Sequence, residues 1–492
     1  MKVVDSLLRH HITTPDRVAF HESSREITYR DLFIEAERIS RVLTYYGVRR
    51  GDRVALLLPR GIDSVCAIFG TLLTCGCYAP LDISNPETRL SYIVNDLQPR
   101  CIIGLGAKPK WCEDFHAKWL DISDMAFSQG SLQPDVDIVA QSDAEDLAAI
   151  LYTSGSTGNP KGVCISCRAI DSFVTWSADA FCISASDRIA SLTPFHFDLS
   201  LFDLFTVIHC GACTSFMPQT LTLAPKKLVS WLEESKITTW YTVPSILAFL
   251  AIRGGLTPES LPAMKQILFA GEVFPIKALT RLAEALVNTD LFNLFGPTET
   301  NVCTFWKVDR NRLQGMGAIP IGTSAGQAKL SIGESGELLV DGPCLMSGYW
   351  QAGTLQVFVG KWYCTGDLVS YNDRGELLYH GRMDRMIKSS GYRIEPAEVE
   401  AMIDRFEGVV GSVVFGEADS ISGSRIVAVI AGDSIDLDAL RRHLKSNLAP
   451  YMQPYRLVQV EVLPRLSNGK IDLKAIEEVN YSALKDGACT TQ

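Results

Sequence analysis

Long apolar runs are missing from this sequence of 492 residues. No stretch of about 18 residues is both apolar and uncharged, as a membrane-spanning helix requires. The first ten residues also lack the apolar core and the small-residue cleavage site of a secretory signal. We therefore expect a cytoplasmic protein without a membrane span.

Positive charge is scarce as well, since 46 lysines and arginines stand against 56 aspartates and glutamates. The net charge of -10 disfavours a general role in binding nucleic acid or a membrane surface. The fourteen cysteines show no paired metal-ligand spacing. Cys164 and Cys167 have a Cys-x-x-Cys spacing, but their apolar segment favours buried thiols over a zinc or redox site.

Internal repeats and low-complexity segments are also absent, and the chain instead alternates short apolar segments with stretches of helical periodicity. The alternation predicts a strand at 54–58, a helix at 64–75, a strand at 79–81 and a helix at 86–97. It is typical of βαβ units, so the fold class is α/β, with mixed and largely parallel sheets flanked by helices. From Ala397 to about Tyr481 the pattern changes to helix, strand, strand, helix and strand, which predicts a small α+β domain.

One loop carries an unusual concentration of small residues. Thr153-Ser-Gly-Ser-Thr-Gly-Asn-Pro-Lys161-Gly lies between two apolar segments, which predicts strand, loop and strand. Small residues let backbone N–H groups approach a polyanion, and one lysine offsets phosphate charge. A mobile Gly/Ser turn is the plainer interpretation. The loop is not a Walker A motif, because Pro160 precedes the lysine and Gly162 follows it.

Three acidic residues stand in contexts that favour a functional role. Asp198 lies among phenylalanines between Phe195 and Phe205, where a carboxylate must be paired, hydrated or used, although a helix cap is an alternative. Glu299 follows a Gly-Pro turn and offers a hard oxygen ligand for Mg²⁺, although Gly-Pro-Thr-Glu is also an ordinary helix start. Asp367 follows the tight turn of Tyr363-Cys-Thr-Gly and is placed to accept both ribose hydroxyls of a nucleotide, although closing the turn is the alternative role.

Two further segments lie near the C-terminus. Residues 381–396 are charged and punctuated by glycine, which predicts an interdomain linker. Lys470 sits on an Asn-Gly turn, where a lysine is normally only a solvated charge.

Taken together, these segments resemble the motifs of the adenylate-forming superfamily, which includes acyl-CoA synthetases, luciferases and amino-acid adenylation domains. The resemblance runs in the family's order from the loop at 153–162 almost to the C-terminus. It implies a core domain at 1–383, a hinge at Asp384, a small mobile domain at 384–481 that carries Lys470, and a tail at 482–492. The family has Gln where this chain has Met386, so a contact of the hinge differs.

The resemblance also implies the ATP and Mg²⁺ sites. Glu299 holds the metal, Thr298 contacts the α-phosphate region, and Lys470 is the catalytic lysine between the substrate carboxylate and the α-phosphate. Phe295 stacks on adenine and Asn293 meets its amino edge. The implied ATP-binding residues are Thr153, Ser154, Gly155, Ser156, Thr157, Gly158, Lys161, Asn293, Leu294, Phe295, Gly296, Thr298, Asp367, Tyr379 and Arg382.

Asp198 indicates the substrate class, because amino-acid adenylation domains hold the α-ammonium on an aspartate at this position. The family's pocket positions give a compact apolar set with one anion and one cation, which suits a small aliphatic amino acid. The implied pocket residues are Asp198, Leu199, Phe202, Tyr241, Leu268, Ala270, Leu294, Val302, Cys303 and Lys470. The set resembles that of stand-alone enzymes that adenylate L-proline and load it onto a separate peptidyl carrier protein in secondary metabolism.

The expected reaction is therefore attack of the proline carboxylate on ATP, release of pyrophosphate, and transfer to a phosphopantetheine thiol. No carrier segment follows residue 472, so we expect the thiol on another chain. D-Alanine–carrier ligases are the nearest alternative within the class. A fatty or aryl acyl-CoA synthetase and a catalytically inactive nucleotide-binding regulator are the alternatives outside it.

Overall fold

A computed structural model describes residues 1–124, 142–155, 158–419, 423–432, 435–464, 472–473 and 475–476. The chain divides into two compact units. The first comprises Met1–Ile83, Ile93–Tyr152 and Gly162–Met383, and the second comprises Ser84–Tyr92, Thr153–Lys161 and the chain from Asp384 onward.

The helices form where the sequence has apolar residues at helical spacing. Thr28 begins α2 by accepting a hydrogen bond from the Asp31 N–H, and Ser166 does the same for α5 through Ala169. The helices are α1 (Lys2–Thr13), α2 (Tyr29–Tyr45), α3 (Ile62–Leu73), α4 (Glu87–Leu97), α5 (Cys167–Ala180), α6 (Val207–Cys210), α7 (Pro225–Glu234), α8 (Pro244–Arg253), α9 (Ile276–Ala285), α10 (Pro396–Ile403) and α11 (Leu437–Asn447). A π-helical turn, Phe202–Thr206, precedes α6.

The larger sheet has 13 described strands. Eight of the predicted site residues lie on them: Tyr241, Leu268, Asn293, Leu294, Phe295, Asp367, Tyr379 and Arg382. Its strands are β1 (Val18–Glu22), β2 (Arg25–Thr28), β9 (Arg188–Ser191), β10 (Cys213–Phe216), β11 (Thr239–Thr242), β12 (Gln266–Phe269), β13 (Asp290–Phe295), β14 (Thr304–Lys307), β15 (Pro320–Ser324), β16 (Lys329–Ile332), β17 (Glu337–Asp341), β20 (Tyr363–Tyr371) and β21 (Leu377–Arg382). Their order is β16-β17-β20-β21-β15-β14-β13-β12-β11-β9-β10-β1-β2. The run from β13 to β1 is parallel, whereas the strands beyond β13 pair antiparallel.

The second sheet has eight described strands in the order β19-β18-β8-β7-β4-β3-β5-β6. They are β3 (Arg53–Leu57), β4 (Cys77–Pro80), β5 (Cys101–Gly104), β6 (Lys118–Asp121), β7 (Leu147–Thr153), β8 (Lys161–Ser166), β18 (Gly348–Gln351) and β19 (Thr354–Val357). Helices cover buried apolar strands in the first unit, as the βαβ pattern predicts, and the α/β fold class is confirmed.

The second unit contains a three-stranded sheet of β24 (Gly411–Asp419), β25 (Gly423–Ala431) and β26 (Arg456–Val460). Its core packs α10 and α11 residues such as Val399 and Leu440 against Val414 and Ala428. The order of helix, strand, strand, helix and strand is the predicted one. Within the segment predicted as a linker, β22 (Ile387–Ser389) and β23 (Tyr392–Ile394) form a hairpin through Ser390 and Gly391, both with positive φ.

Candidate active site

A tight loop at the end of β13 carries Thr298 and Glu299. The N–H of Thr300 donates to the carbonyl of Pro297 over 2.8 Å, and the N–H of Cys303 donates to the carbonyl of Phe295 over 2.9 Å. A Cβ on Gly296 would lie 1.6 Å from the Asn301 carbonyl oxygen, so only glycine fits there. The loop turns directly into β14, and the alternative of a helix start at Gly-Pro is wrong.

Glu299 is fully buried, and its side chain is held from a distant part of the sequence. The Tyr349 hydroxyl donates to Glu299 Oε1 over 2.8 Å, and the Tyr363 hydroxyl lies 3.2 Å from that of Tyr349. Tyr349 is not among the site residues predicted from the sequence. Its only signal was a tyrosine in a short apolar segment, which is also typical of an ordinary strand.

Asp198 lies close enough to Glu299 for the two carboxylates to affect each other. Burial, followed by the negative charge of Glu299, raises the Asp198 pKa to about 6, against opposing hydrogen bonds from the Leu199 backbone and the Thr298 side chain. The π-helical turn that begins at Phe202 has no side-chain cap among the described residues, and the residue that precedes it is Leu201. A buried anion here suits a cationic group of a ligand.

The predicted ribose site is formed by cross-strand partners. Asp367 on β20 and Arg382 on β21 lie opposite each other, and Arg382 Nη1 donates to Asp367 Oδ1 over 3.0 Å. Asp367 is fully buried, and its Oδ2 has no hydrogen-bond partner among the described residues. A buried carboxylate oxygen without a partner can accept from a hydroxyl of a bound nucleotide.

The predicted adenine-site residues Asn293 and Phe295 both lie on β13. The rings of Phe295 and Tyr379 are 5.7 Å apart at their centroids, so an aromatic surface exists at the end of β13. The Asn293 side-chain N–H donates to the carbonyl of Pro320 over 2.8 Å. This bond fixes the orientation of the amide, and it engages the N–H group rather than the side-chain oxygen.

Most of the predicted pocket residues pack in one apolar cluster. Phe202 and Tyr241 meet edge to face with centroids 5.8 Å apart, and Leu268 pairs with Tyr241 across β11 and β12. Ala270, Leu294 and Val302 belong to the same cluster, with Leu199 packed against it. Cys303 differs, because it packs with Phe295 in a separate cluster.

Asp203 is a second buried carboxyl group near the pocket, and it is not among the predicted site residues. It lies in the π-helical turn directly after Phe202, and neither side-chain oxygen has a hydrogen-bond partner among the described residues. Burial raises its pKa to about 8, although the nearby Ser191 hydroxyl and Arg60 guanidinium oppose the shift. The raised pKa favours the protonated form of Asp203, whereas the lower pKa of Asp198 favours the charged form of that carboxyl group near neutral pH.

The Gly/Ser loop joins β7 and β8, as the strand, loop and strand pattern predicts. The Gly158 N–H donates to the carbonyl of Gly155 over 3.0 Å, and Gly158 has a φ of 84°. The Ser154 hydroxyl donates to the Arg393 carbonyl within the second unit. Thr153 ends β7, Lys161 begins β8, and Ser156, Thr157 and Lys470 lie outside the described residues.

The described residues contain neither a preformed metal cluster nor a helix suited to a membrane. No three His, Cys, Asp or Glu side chains gather into a metal site in the ranges that the structure describes. Mg²⁺ in proteins is usually held by one or two carboxylates together with phosphate oxygens and water. No helix in the same ranges has the length and apolarity needed to cross a membrane.

These features define an enzyme that binds an adenine nucleotide, and comparison with known proteins agrees. Residues 8–350 match the AMP-binding enzyme model, and residues 398–470 match the AMP-binding enzyme C-terminal domain. The chain belongs to the AMP-binding enzyme family, and the resemblance to ATP-dependent adenylate-forming ligases is confirmed.

Among its relatives are two L-proline–[L-prolyl-carrier protein] ligases. The one from Streptomyces coelicolor is 35% identical and covers 92% of each chain. The one from Pseudomonas fluorescens is 32% identical over 97% of this chain and 99% of the relative. The fold is similar to that of o-succinylbenzoate CoA synthetase from Bacillus subtilis, with a TM-score of 0.85, 22% identity, and coverage of 96% of this chain and 98% of that one.

Proposed function

We propose that this protein activates L-proline with ATP as prolyl-AMP, releases pyrophosphate, and transfers the prolyl group to the phosphopantetheine thiol of a separate carrier protein. The observation that carries the proposal is the buried Asp198 carboxylate beside the apolar set of Phe202 and Tyr241. The two prolyl ligases among its relatives support the choice of proline.

The proposed chemistry brings a carboxylate toward a polyanion, so positioning and positive charge matter more than proton transfer. Asp198 would hold the substrate ammonium, and Lys470 would neutralise the carboxylate end and the α-phosphate. Asp367 would accept the ribose hydroxyls through its unpaired oxygen. Mg²⁺ bound at Glu299 would offset phosphate charge, and the loop from Thr153 to Lys161 would contact the β- and γ-phosphates.

The proposal includes two steps that need different positions of Lys470. Adenylation requires the lysine at the site, whereas thiol attack requires access to the adenylate. We assign the change to movement of the 384–481 domain about Asp384. A carrier protein on another chain and a cytoplasmic location complete the proposal.

Pyrophosphate exchange with a panel of amino acids tests the substrate. We expect L-proline to support the fastest exchange, with D-alanine, L-valine and glycine far slower. Preference for D-alanine would favour the alternative ligase, and ATP binding without exchange for any amino acid would favour an inactive nucleotide-binding regulator. Thioester formation with free coenzyme A would instead indicate an acyl-CoA synthetase.

Substitution of Lys470 separates the two half-reactions. Lys470→Ala should abolish exchange while leaving thioester formation from supplied prolyl-AMP intact, because the second step does not need the lysine. Lys445→Ala on α11 is the matched control, since that lysine is exposed. Exchange near the wild-type rate in Lys470→Ala would remove the lysine from the mechanism.

A further inference from the structure

We propose that Tyr349 is a positioning residue that fixes the Glu299 carboxylate for binding of the metal–nucleotide complex. The inference rests on the proposed function and extends it to a residue outside the family motifs discussed above. Its first observation is the hydrogen bond of 2.8 Å from the Tyr349 hydroxyl to Glu299 Oε1. Because the carboxylate is fully buried, this bond is not exchanged freely with water.

A second contact comes from the same segment. The N–H of Met346 donates to the backbone carbonyl of Glu299 over 2.9 Å. Residues 346–349 therefore hold Glu299 at its backbone and at its side chain together. A backbone contact alone would place the residue but leave its side-chain torsions free, so Tyr349 supplies the orientation.

The sheet makes Tyr349 a rigid donor. It lies on β18, which pairs with β8 on one side and with β19 on the other, so the backbone at this position is held from both edges. Gly348 lets β18 approach β19 closely, because a Cβ there would lie 2.1 Å from the Gln356 carbonyl oxygen. The Tyr349 ring packs against the main apolar cluster, which restricts its rotamers.

Tyr363 extends the contact toward the proposed ribose site. Its hydroxyl is 3.2 Å from that of Tyr349, and it lies on β20 four positions before Asp367. The two tyrosines thus connect the strand that carries Asp367 with the carboxylate proposed to hold the metal. A partner that orients a metal-binding carboxylate typically changes metal affinity by about 10- to 100-fold when it is removed.

Tyr349→Phe tests the proposal, because it removes the hydroxyl and keeps the ring. Binding of a fluorescent ATP analogue is measured at increasing Mg²⁺ concentration, without an amino acid and without turnover. We expect the Mg²⁺ concentration at half-maximal binding to rise about 10-fold, while binding without Mg²⁺ and the KM for the amino acid stay unchanged. Tyr371→Phe on β20 is the control, since that side chain is exposed. A Mg²⁺ curve that superimposes on the wild-type curve would overturn the proposal.

A double substitution distinguishes orientation of Glu299 from a general structural role. If Tyr349 acts through Glu299, Tyr349→Phe should produce no further shift in a Glu299→Gln background. A further shift of equal size there would also overturn the proposal. Failure of the proposed function is separate: wild-type protein that binds Mg·ATP but exchanges no proline would refute the substrate assignment and leave the result for Tyr349 valid.

Discussion

Arg382 donates a hydrogen bond to only one oxygen of the buried Asp367 carboxylate, over 3.0 Å, while the other oxygen has no partner among the described residues. The arginine neutralises the charge that burial would otherwise make costly. The second oxygen retains its ability to accept a hydrogen bond. This oxygen is the acceptor that we propose for a nucleotide hydroxyl, and the bond from Arg382 holds its carboxylate in place.

Substitution of Asp367 tests this arrangement. Asp367→Ala should weaken ATP binding by about 10- to 100-fold, because a hydrogen bond to a charged group contributes about 1.5–3 kcal/mol. Binding of a fluorescent ATP analogue measures the change, with Asp373→Ala as the control because Asp373 is exposed in the following turn. Equal affinities in wild type and Asp367→Ala would remove Asp367 from the nucleotide site.

Local sequence patterns predicted much of the fold and several neighbours in the site. Helices α3, α4 and α11 and the order of elements in the second unit follow from apolar spacing, since that spacing must match the face that is buried. The proximity of Asp198 to Glu299 agrees with the implied site. The hairpin at 387–394 was not predicted, because strands of three residues are too short to show an alternation of apolar and polar residues.

The contact between Tyr349 and Glu299 could not be predicted for a different physical reason. The two residues are 50 positions apart. Tyr349 lies on a strand of the second sheet, and Glu299 lies in a loop that follows a strand of the larger sheet. Their meeting depends on β18 pairing beside β8, and alternation of apolar residues does not specify which strands become neighbours. The charge state of Asp203 was equally hidden, because it follows from burial and from the position of Arg60.

The pH dependence of proline use should report the ionisation of Asp198. Its pKa of about 6 means that the carboxylate loses its charge as the pH falls below that value. The protonated group then no longer pairs with the substrate ammonium. We expect kcat/KM for proline to fall about tenfold per pH unit below pH 6, since this ratio reports groups of the free enzyme. Pyrophosphate release measured from pH 5 to pH 8 gives the profile.

Asp198→Asn supplies the comparison for that profile. The variant should have a low kcat/KM that changes little with pH in the same range, because the titrating group is gone. If the variant kept the wild-type pH profile, another group would be responsible for the loss at low pH.

Gly296→Ala should disrupt the loop that carries Thr298 and Glu299. The added Cβ would lie 1.6 Å from the Asn301 carbonyl oxygen, so the backbone must move. We expect a loss of about 1–3 kcal/mol in the free energy of unfolding, together with weaker binding of Mg·ATP. Urea unfolding and nucleotide binding measure the two effects.

Gly317→Ala is the matched control for the loop, since an added Cβ at that position would have no atom within 4 Å. It should behave like the wild type in both measurements. Equal losses in the two variants would mean that the close approach at Gly296 does not determine the loop conformation.

Asp203 should make the protein less stable as the pH rises. In the folded state its pKa is about 8, whereas an aspartate in the unfolded chain ionises near pH 3.9. The folded state therefore binds one proton more than the unfolded state between these values, so the free energy of unfolding falls as the pH rises from about 4 to about 8.

Asp203→Asn keeps the shape of the side chain and removes this dependence on pH. We expect the stability difference between variant and wild type to shift in favour of the variant by up to about 1.4 kcal/mol per pH unit across that window. Urea midpoints of the variant and the wild type at pH 5, 6.5 and 8 measure this stability difference. The titration of all other groups cancels, because both proteins contain those groups. A difference that stays constant with pH would mean that Asp203 is ionised in the folded protein, and that Arg60 and Ser191 compensate for its burial.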